Sequence, residues 1–212
     1  MAILQDIRKE YRFSQLDIEN LDNNPIVQFK YWLNEALRAD VIEPTGMVLS
    51  TATVEGRPSS RVVLLKSLDN DGFTFFTNYE SRKGIQIEEN PFGSLLFFWS
   101  TLERQVRIEG KILKTKQEES DEYFRVRPEG SKIGSWASPQ SRRIPNREYL
   151  ENLEKDYHML FRTRALDRPE HWGGYKLLPS LVEFWQGREN RLHDRFEYSR
   201  NRNIWEIHRL AP

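Results

Sequence analysis

The stretch RQVRIEGKIL, Arg104 to Leu113, alternates cleanly. Val106, Ile108 and Ile112 fall on one side of an extended chain, and Gln105, Arg107, Glu109 and Lys111 on the other. A helix would scatter these residues around its circumference, so the segment reads as a strand with one buried and one polar face. Similar runs lie upstream: GMVLSTATV (46–54), SSRVVLLK (59–66), FTFFTN (73–78) and GSLLFFWS (93–100). EGRP and LDNDG end the first two, and such spacing predicts an antiparallel meander. Downstream, LVEFWQG (181–187), DRFEYSR (194–200) and NIWEIHRL (203–210) return to strand character.

Helical periodicity interrupts the strands. Ile26, Phe29, Leu33, Ala36 and Leu37 predict a helix over Pro25 to Ala39 with proline in its first turn. A short helical segment is expected from Ser81, and another over Lys116 to Arg127, stopped by Pro128. A further one starts at Asn146, a good N-cap, and aligns Leu150, Leu153, Tyr157, Leu160 and Phe161. This mixture is mainly β with peripheral helices, a barrel or sandwich rather than a doubly wound sheet, whose strands and helices must alternate regularly.

The 212 residues suit one substantial core, and no Gly/Ser-rich or Pro-rich linker divides them. Lys plus Arg equals Asp plus Glu at 32 each, which disfavours a nucleic-acid coat or an anionic membrane surface. The absence of cysteine removes disulfides, thiolate nucleophiles and cysteine-ligated metal centres. The opening MAILQDIRKEYRF lacks a signal-peptide core and no run reaches membrane-spanning length, so a cytoplasmic protein is expected. The four histidines have no i, i+4 metal spacing, and no metal is expected. Six tryptophans are more than a core of this size needs, which leaves some for a ligand or a subunit contact.

No glycine-rich phosphate cradle and no G-x-S-x-G elbow is present. What remains is a set of cations at strand ends. Arg61 and Lys66 bracket VVLL, Arg82 and Lys83 open the segment after Ser81, and Ser141 and Arg142 lie in the loop SWASPQSRR. Singly, each also fits a solvated surface; together they could hold a phosphate with forked and point-charge donors. Tyr123 and Arg127 are i, i+4 neighbours with Ser131 just beyond, which fits a second anion pocket or an ordinary amphipathic helix. In EFWQGRENRLHDR (Glu183 to Arg195), an extended Arg191 to Arg195 would put Arg191, His193 and Arg195 on one face, suited to an anionic planar ligand or simply a solvated edge.

RVVLLK, FFTNYESRKG, LERQVRIEG, RPEGSKIGSWAS, EFWQGRENRLHDR and the terminal RLAP occur in an order that resembles the pyridoxine/pyridoxamine 5′-phosphate oxidase family. The resemblance runs from about Pro25 to Pro212. It implies an FMN-binding split β-barrel at 25–212, after an N-terminal segment at 1–24 in which Arg8 and Tyr11 resemble part of an active-site lid. It also implies a homodimer that oxidises pyridoxine 5′-phosphate or pyridoxamine 5′-phosphate to pyridoxal 5′-phosphate, with O2 as acceptor. By motif, Arg61 with Val62, Val63, Leu64, Leu65 and Lys66 resembles one FMN-binding run. Phe76, Thr77, Arg82 and Lys83 resemble a second, and Gln105, Gln140, Ser141, Trp185 and Arg195 the remaining FMN contacts. Lys66, Tyr123, Arg127 and Ser131 resemble the substrate-phosphate pocket. Arg191, Leu192 and His193 resemble the substrate-ring contact, with Arg191 and His193 catalytic. Within the same fold, a flavin enzyme with another substrate, a flavin store or a β-platform for nucleic acid remain alternatives.

Overall fold

The computed structural model describes residues 10–202 and 204–212. Its strands are β1 (Gly46–Ala52), β2 (Pro58–Leu64), β3 (Ser67–Leu68), β4 (Phe73–Asn78), β5 (Phe92–Trp99), β6 (Arg104–Lys114), β7 (Trp172–Gln186), β8 (Asp194–Asn201) and β9 (Ile204–Leu210). The helices are α1 (Pro25–Arg38), α2 (Arg82–Glu89), α3 (Gln117–Val126), α4 (Glu129–Ala137) and α5 (Arg147–Leu160).

The strand order β2-β1-β5-β6-β7-β4-β3 corrects the expected meander, although every pairing is antiparallel. The first and last strands of that path, β2 and β3, are separated by Leu65 and Lys66 alone, so the sheet must curl until its ends meet. The Lys66 amide completes the turn by donating to Thr74 O of β4, and Leu65 N donates to Thr45 O. Curling gives the sheet an inside. Phe75, Phe97, Val106, Ile108, Leu177, Val182 and Phe184 are all fully buried there.

β7 is longer than the sequence reading allowed, because Gly173, Gly174 and Pro179 mask its first half. Proline is tolerated here because the register slips. Glu109 faces Leu181, Gly110 faces Pro179, and Ser180 is the extra residue of a bulge. Gly110 fits because a Cβ at that position would lie 2.0 Å from Leu178 O. The bulge divides the far side of β7. Residues 172–177 pair with β4 and 181–186 with β8, so the second sheet limb, β8-β9, splits from the barrel at this point.

α1 starts at Pro25 with Asn24 as its N-cap and packs its apolar face on the core. Phe29 meets Phe73 at 4.9 Å and Phe97 at 4.8 Å, edge to face, while Trp32 meets Phe184 at 5.1 Å. Burying such a ring contributes about 1.5–3 kcal/mol. α3 stops where Pro128 requires, with Arg127 already extended at ψ 149°. α4 was not anticipated from the sequence, where Gly130 and Gly134 lower helical propensity. α5 begins at Asn146, whose side chain accepts from Tyr149 N, and buries none of its residues.

Candidate active site

Two cations come from neighbouring elements. α2 is capped by Ser81, whose hydroxyl accepts from Gly84 N, and this places Lys83 in its first turn. Lys83 Nζ donates to Thr77 Oγ1 (3.1 Å), Ser81 Oγ (3.2 Å) and Gln140 Oε1 (2.8 Å). β2 carries Arg61, whose guanidinium donates to Leu49 O, Thr51 Oγ1 and Ser59 Oγ. Burial, with Arg61 nearby, pushes the Lys83 ammonium down to about 8, and burial followed by Arg82 lowers Arg61. Among the described residues no carboxylate lies within ion-pair distance of Arg61, Lys66, Lys83 or Arg127. A buried Lys83 and half-buried Arg61 and Arg127 without counter-ions, with exposed Lys66 beside them, make this region a site for an anion.

These groups border one cavity of about 330 Å³, lined by Arg61, Val62, Val63, Leu64, Lys66, Phe76, Thr77, Lys83, Tyr123, Arg127, Gln140 and Trp172. The fold thus brings together most of the first run expected to bind FMN, Arg61 to Lys66, with Phe76, Thr77, Gln140 and the expected substrate cations. Leu65 is the exception within its run: it is buried in the core, as strand alternation requires. Arg82 points to solvent but lies close enough to act on Arg61. Ser141 is exposed at φ 70°, next to Gln140 but outside the cavity lining.

Three rings form one wall. Phe76 stacks on Tyr123 at 4.0 Å and on Trp172 at 5.5 Å, all nearly parallel. Arg127 lies 4.5 Å over Trp172 and donates to Ser135 Oγ at 2.6 Å, and burial lowers its pKa. Ser131 joins Arg127, Gln140 and Trp172 around an adjoining hollow of about 240 Å³. Sequence reasoning missed Trp172 and Ser135. The available signal was WGG: at Gly173 a Cβ would lie 2.1 Å from Tyr79 Oη, so an aromatic there precedes a forced glycine.

The remaining candidates sit elsewhere on the chain. Gln105, Trp185 and Arg195 face one another across β6, β7 and β8, beside exposed Phe98 on the outer barrel face. Glu183 holds Arg195 (2.8 Å) and Arg107 (2.7 Å). The expected extended Arg191–Arg195 is corrected. Glu189–Arg191 forms a 3-10 turn with positive φ at Asn190 and Arg191, and β8 starts only at Asp194. Arg191 and Leu192 are therefore exposed on a turn, and only Arg195 belongs to the strand. The turn follows Gly187 and lets His193 fold back, so its Nδ1 accepts from Arg188 N at 3.0 Å and its ring lies 4.6 Å from Trp185. That bond assigns the neutral tautomer with hydrogen on Nε2. Burial, then Arg191, lowers the His193 pKa, against an opposing effect of Asp194. None of these residues lines the 330 Å³ cavity of the same chain.

The N-terminal segment reaches this second cluster. Arg12 N and Phe13 N donate to Glu103, Leu16 N donates to Asp194, and Tyr11 stands edge-on to Trp185 at 5.6 Å and to His193 at 5.8 Å. Arg8 lies outside the described residues.

Residues 33–152 match the family model described as pyridoxamine 5′-phosphate oxidase, and residues 172–212 match the pyridoxine 5′-phosphate oxidase C-terminal dimerisation region. The chain belongs to the pyridoxamine 5′-phosphate oxidase family. It is 51% identical to a pyridoxine/pyridoxamine 5′-phosphate oxidase of Paraburkholderia xenovorans over the full length of both chains. It is 53% identical, at the same coverage, to one of Burkholderia thailandensis. Among solved structures, PhzG from Burkholderia lata in complex with tetrahydrophenazine-1-carboxylic acid is 36% identical, with TM-score 0.86 over 92% of this chain and 95% of that one. A family-related FMN binding protein from Nostoc punctiforme shares the fold at TM-score 0.69 and 17% identity, over 87% and 97%. The architecture is accordingly the family's split β-barrel. Among the described residues no helix is long and apolar enough to cross a membrane.

Proposed function

We propose that this chain is an FMN-dependent oxidase of pyridoxine 5′-phosphate and pyridoxamine 5′-phosphate, forming pyridoxal 5′-phosphate. The observation that carries the reading is the cavity bounded by Arg61, Lys66, Lys83 and Arg127 without a carboxylate partner among the described residues. Two phosphorylated planar molecules fit such a donor set, with Arg61 and Lys83 on the flavin phosphate and Lys66, Tyr123, Arg127 and Ser131 on the substrate phosphate. Bound FMN supplies the hydride acceptor, later reoxidised by O2 to give H2O2. For the alcohol, loss of hydride and a proton yields the aldehyde; for the amine, the same loss yields an imine, which water hydrolyses to the aldehyde and ammonia.

The chain's own residues bind and orient. The Phe76, Tyr123 and Trp172 stack flanks the substrate and excludes water from one side. His193, with hydrogen on Nε2, donates to a ring substituent, and Arg191 balances charge on the substrate oxygen. Because His193, Arg191, Trp185, Gln105 and Arg195 lie away from the cavity of their own chain, a homodimer completes the site, each subunit presenting this set to its partner. The solvent-facing row Val62, Val48 and Leu96, joined by Phe98, gives that dimer an apolar face, and the C-terminal match to a dimerisation region supports it. In the same proposal the described part of the N-terminal segment, residues 10–24, covers the site through Tyr11, and 25–212 form the barrel. The Burkholderia lata relative was crystallised with a carboxylic acid, so Lys66, Tyr123, Arg127 and Ser131 are the set that separates a phosphorylated substrate from other flavin chemistry.

The test is spectroscopic. Purified protein should absorb near ~450 nm as flavoproteins do, and pyridoxamine 5′-phosphate added without oxygen should bleach that band. A flavin band that bleaches with other reductants but not with either phosphorylated vitamer would reject the substrate assignment.

A further inference from the structure

We propose that Gln86 is a positioning residue that sets the guanidinium of Arg61 for a phosphate. The inference rests on the FMN reading above. Gln86 lies on α2 one turn beyond Lys83 and is 3% exposed. Its Oε1 is 2.6 Å from Thr51 Oγ1 and 2.7 Å from Ser59 Oγ, two residues paired across β1 and β2. The same hydroxyl oxygens receive Arg61, Nη1 on Thr51 at 2.7 Å and Nη2 on Ser59 at 2.6 Å.

Proton counting fixes the direction of every bond. A guanidinium only donates, so both hydroxyls must turn lone pairs to Arg61 and send their single protons elsewhere. The carboxamide oxygen of Gln86 takes both. The reversed amide could reach only the second lone pair of each hydroxyl and would leave both hydroxyl protons without this acceptor, so the orientation with Oε1 toward the hydroxyls is the one that satisfies every group. Nη1 spends its second hydrogen on Leu49 O at 3.2 Å. Of five N–H groups, those left without a protein acceptor among the described residues are Nε–H and one on Nη2. These two lie side by side on one edge of the guanidinium, the fork that takes two oxygens of one phosphate. Gln86 thus fixes one edge of Arg61 so that the other is presented.

The test compares FMN with riboflavin, which lacks the phosphate, by fluorescence titration of the full-length apoprotein. Gln86→Leu should weaken FMN about tenfold, the scale of one bond to a charged group, and leave riboflavin affinity unchanged. Combined with Arg61→Ala, it should cost no further FMN affinity. Gln86→Glu keeps both acceptor functions and the side-chain shape, and serves if the leucine variant does not fold. Its carboxylate beside Arg61 competes with the phosphate, so FMN should weaken by at least as much while riboflavin does not change. Equal loss of both flavins in Gln86→Leu or in Gln86→Glu, or additive losses with Arg61→Ala, would each overturn the role of Gln86. If the unsubstituted protein binds riboflavin as tightly as FMN, the phosphate reading itself fails.

Discussion

Replacing Lys83 with methionine should make the apoprotein more stable and the cofactor weaker. Lys83 is 8% exposed, and its fall from an ordinary 10.5 to about 8 corresponds to about 3 kcal/mol held against the charged form by burial and Arg61. Methionine removes that cost, and its removal strands no acceptor. Thr77 Oγ1 still donates to Gln140 Oε1, and Ser81 Oγ still donates to Asn78 O. Allowing for the lost ammonium bonds, the net gain at pH 7 is about 1–3 kcal/mol, or roughly 2–4 °C in melting temperature for each kcal/mol. The gain falls with pH in a defined window. Lys83 is a base whose pKa is lower folded than unfolded, so the unfolded chain binds more protons between about 8 and 10.5, and parent stability rises with pH there. The advantage of Lys83→Met should therefore shrink between pH 7 and pH 9.5. Losing a charge-assisted bond to phosphate should meanwhile weaken FMN about 10- to 100-fold. Urea denaturation of both apoproteins at the two pH values, at equal protein concentration, with flavin titration beside it, measures all three quantities. An apo variant no more stable than its parent at pH 7 refutes the desolvation argument, and an undiminished FMN affinity refutes the cation's role.

Three further outcomes are expected. Arg127→Ala, which removes the cation over Trp172, should raise the KM for pyridoxamine 5′-phosphate about tenfold or more while flavin occupancy holds; equal KM values would reject the second anion subsite. His193 should titrate below the ordinary imidazole value of 6.5, because burial and then Arg191 disfavour its charged form, and it should cost stability only as pH falls below that value. Nitrogen NMR would show this directly, and a midpoint above 6.5 would contradict it. Phe29→Ala, emptying a fully buried ring site against Phe73, Phe97 and Trp99, should destabilise the protein by about 3–5 kcal/mol in chemical denaturation. A loss under about 1 kcal/mol would mean that α1 is not part of the core.

Local chemistry was readable wherever one residue decides an outcome. Pro25 stands in the first turn of α1, α2 opens directly after Ser81, Asn146 caps α5, Pro128 ends α3, and the alternation of β6 holds along its length. β7 was half hidden because Gly173, Gly174 and Pro179 look like breakers, and only the pairing with β4 and the bulge opposite Gly110 make them strand residues. The turn at Glu189–Arg191 was misread for the opposite reason. Nothing in RENRLH marks Asn190 and Arg191 for positive φ until His193 is held by Arg188 N.

By itself, the sequence determined the mainly β architecture, the cation-rich strand ends and the motifs that resemble the oxidase family, because periodicity, capping and charge are properties of neighbours along the chain. Tertiary structure alone decided that Lys66, Lys83 and Arg127 share a cavity, and that Trp172 lines it. It also decided that Gln86 sits behind Arg61 and that His193 and Arg195 face away. The physical reason is that strand order and barrel closure are set by the burial of side chains far apart in the chain, and no local pattern encodes which distant edges meet.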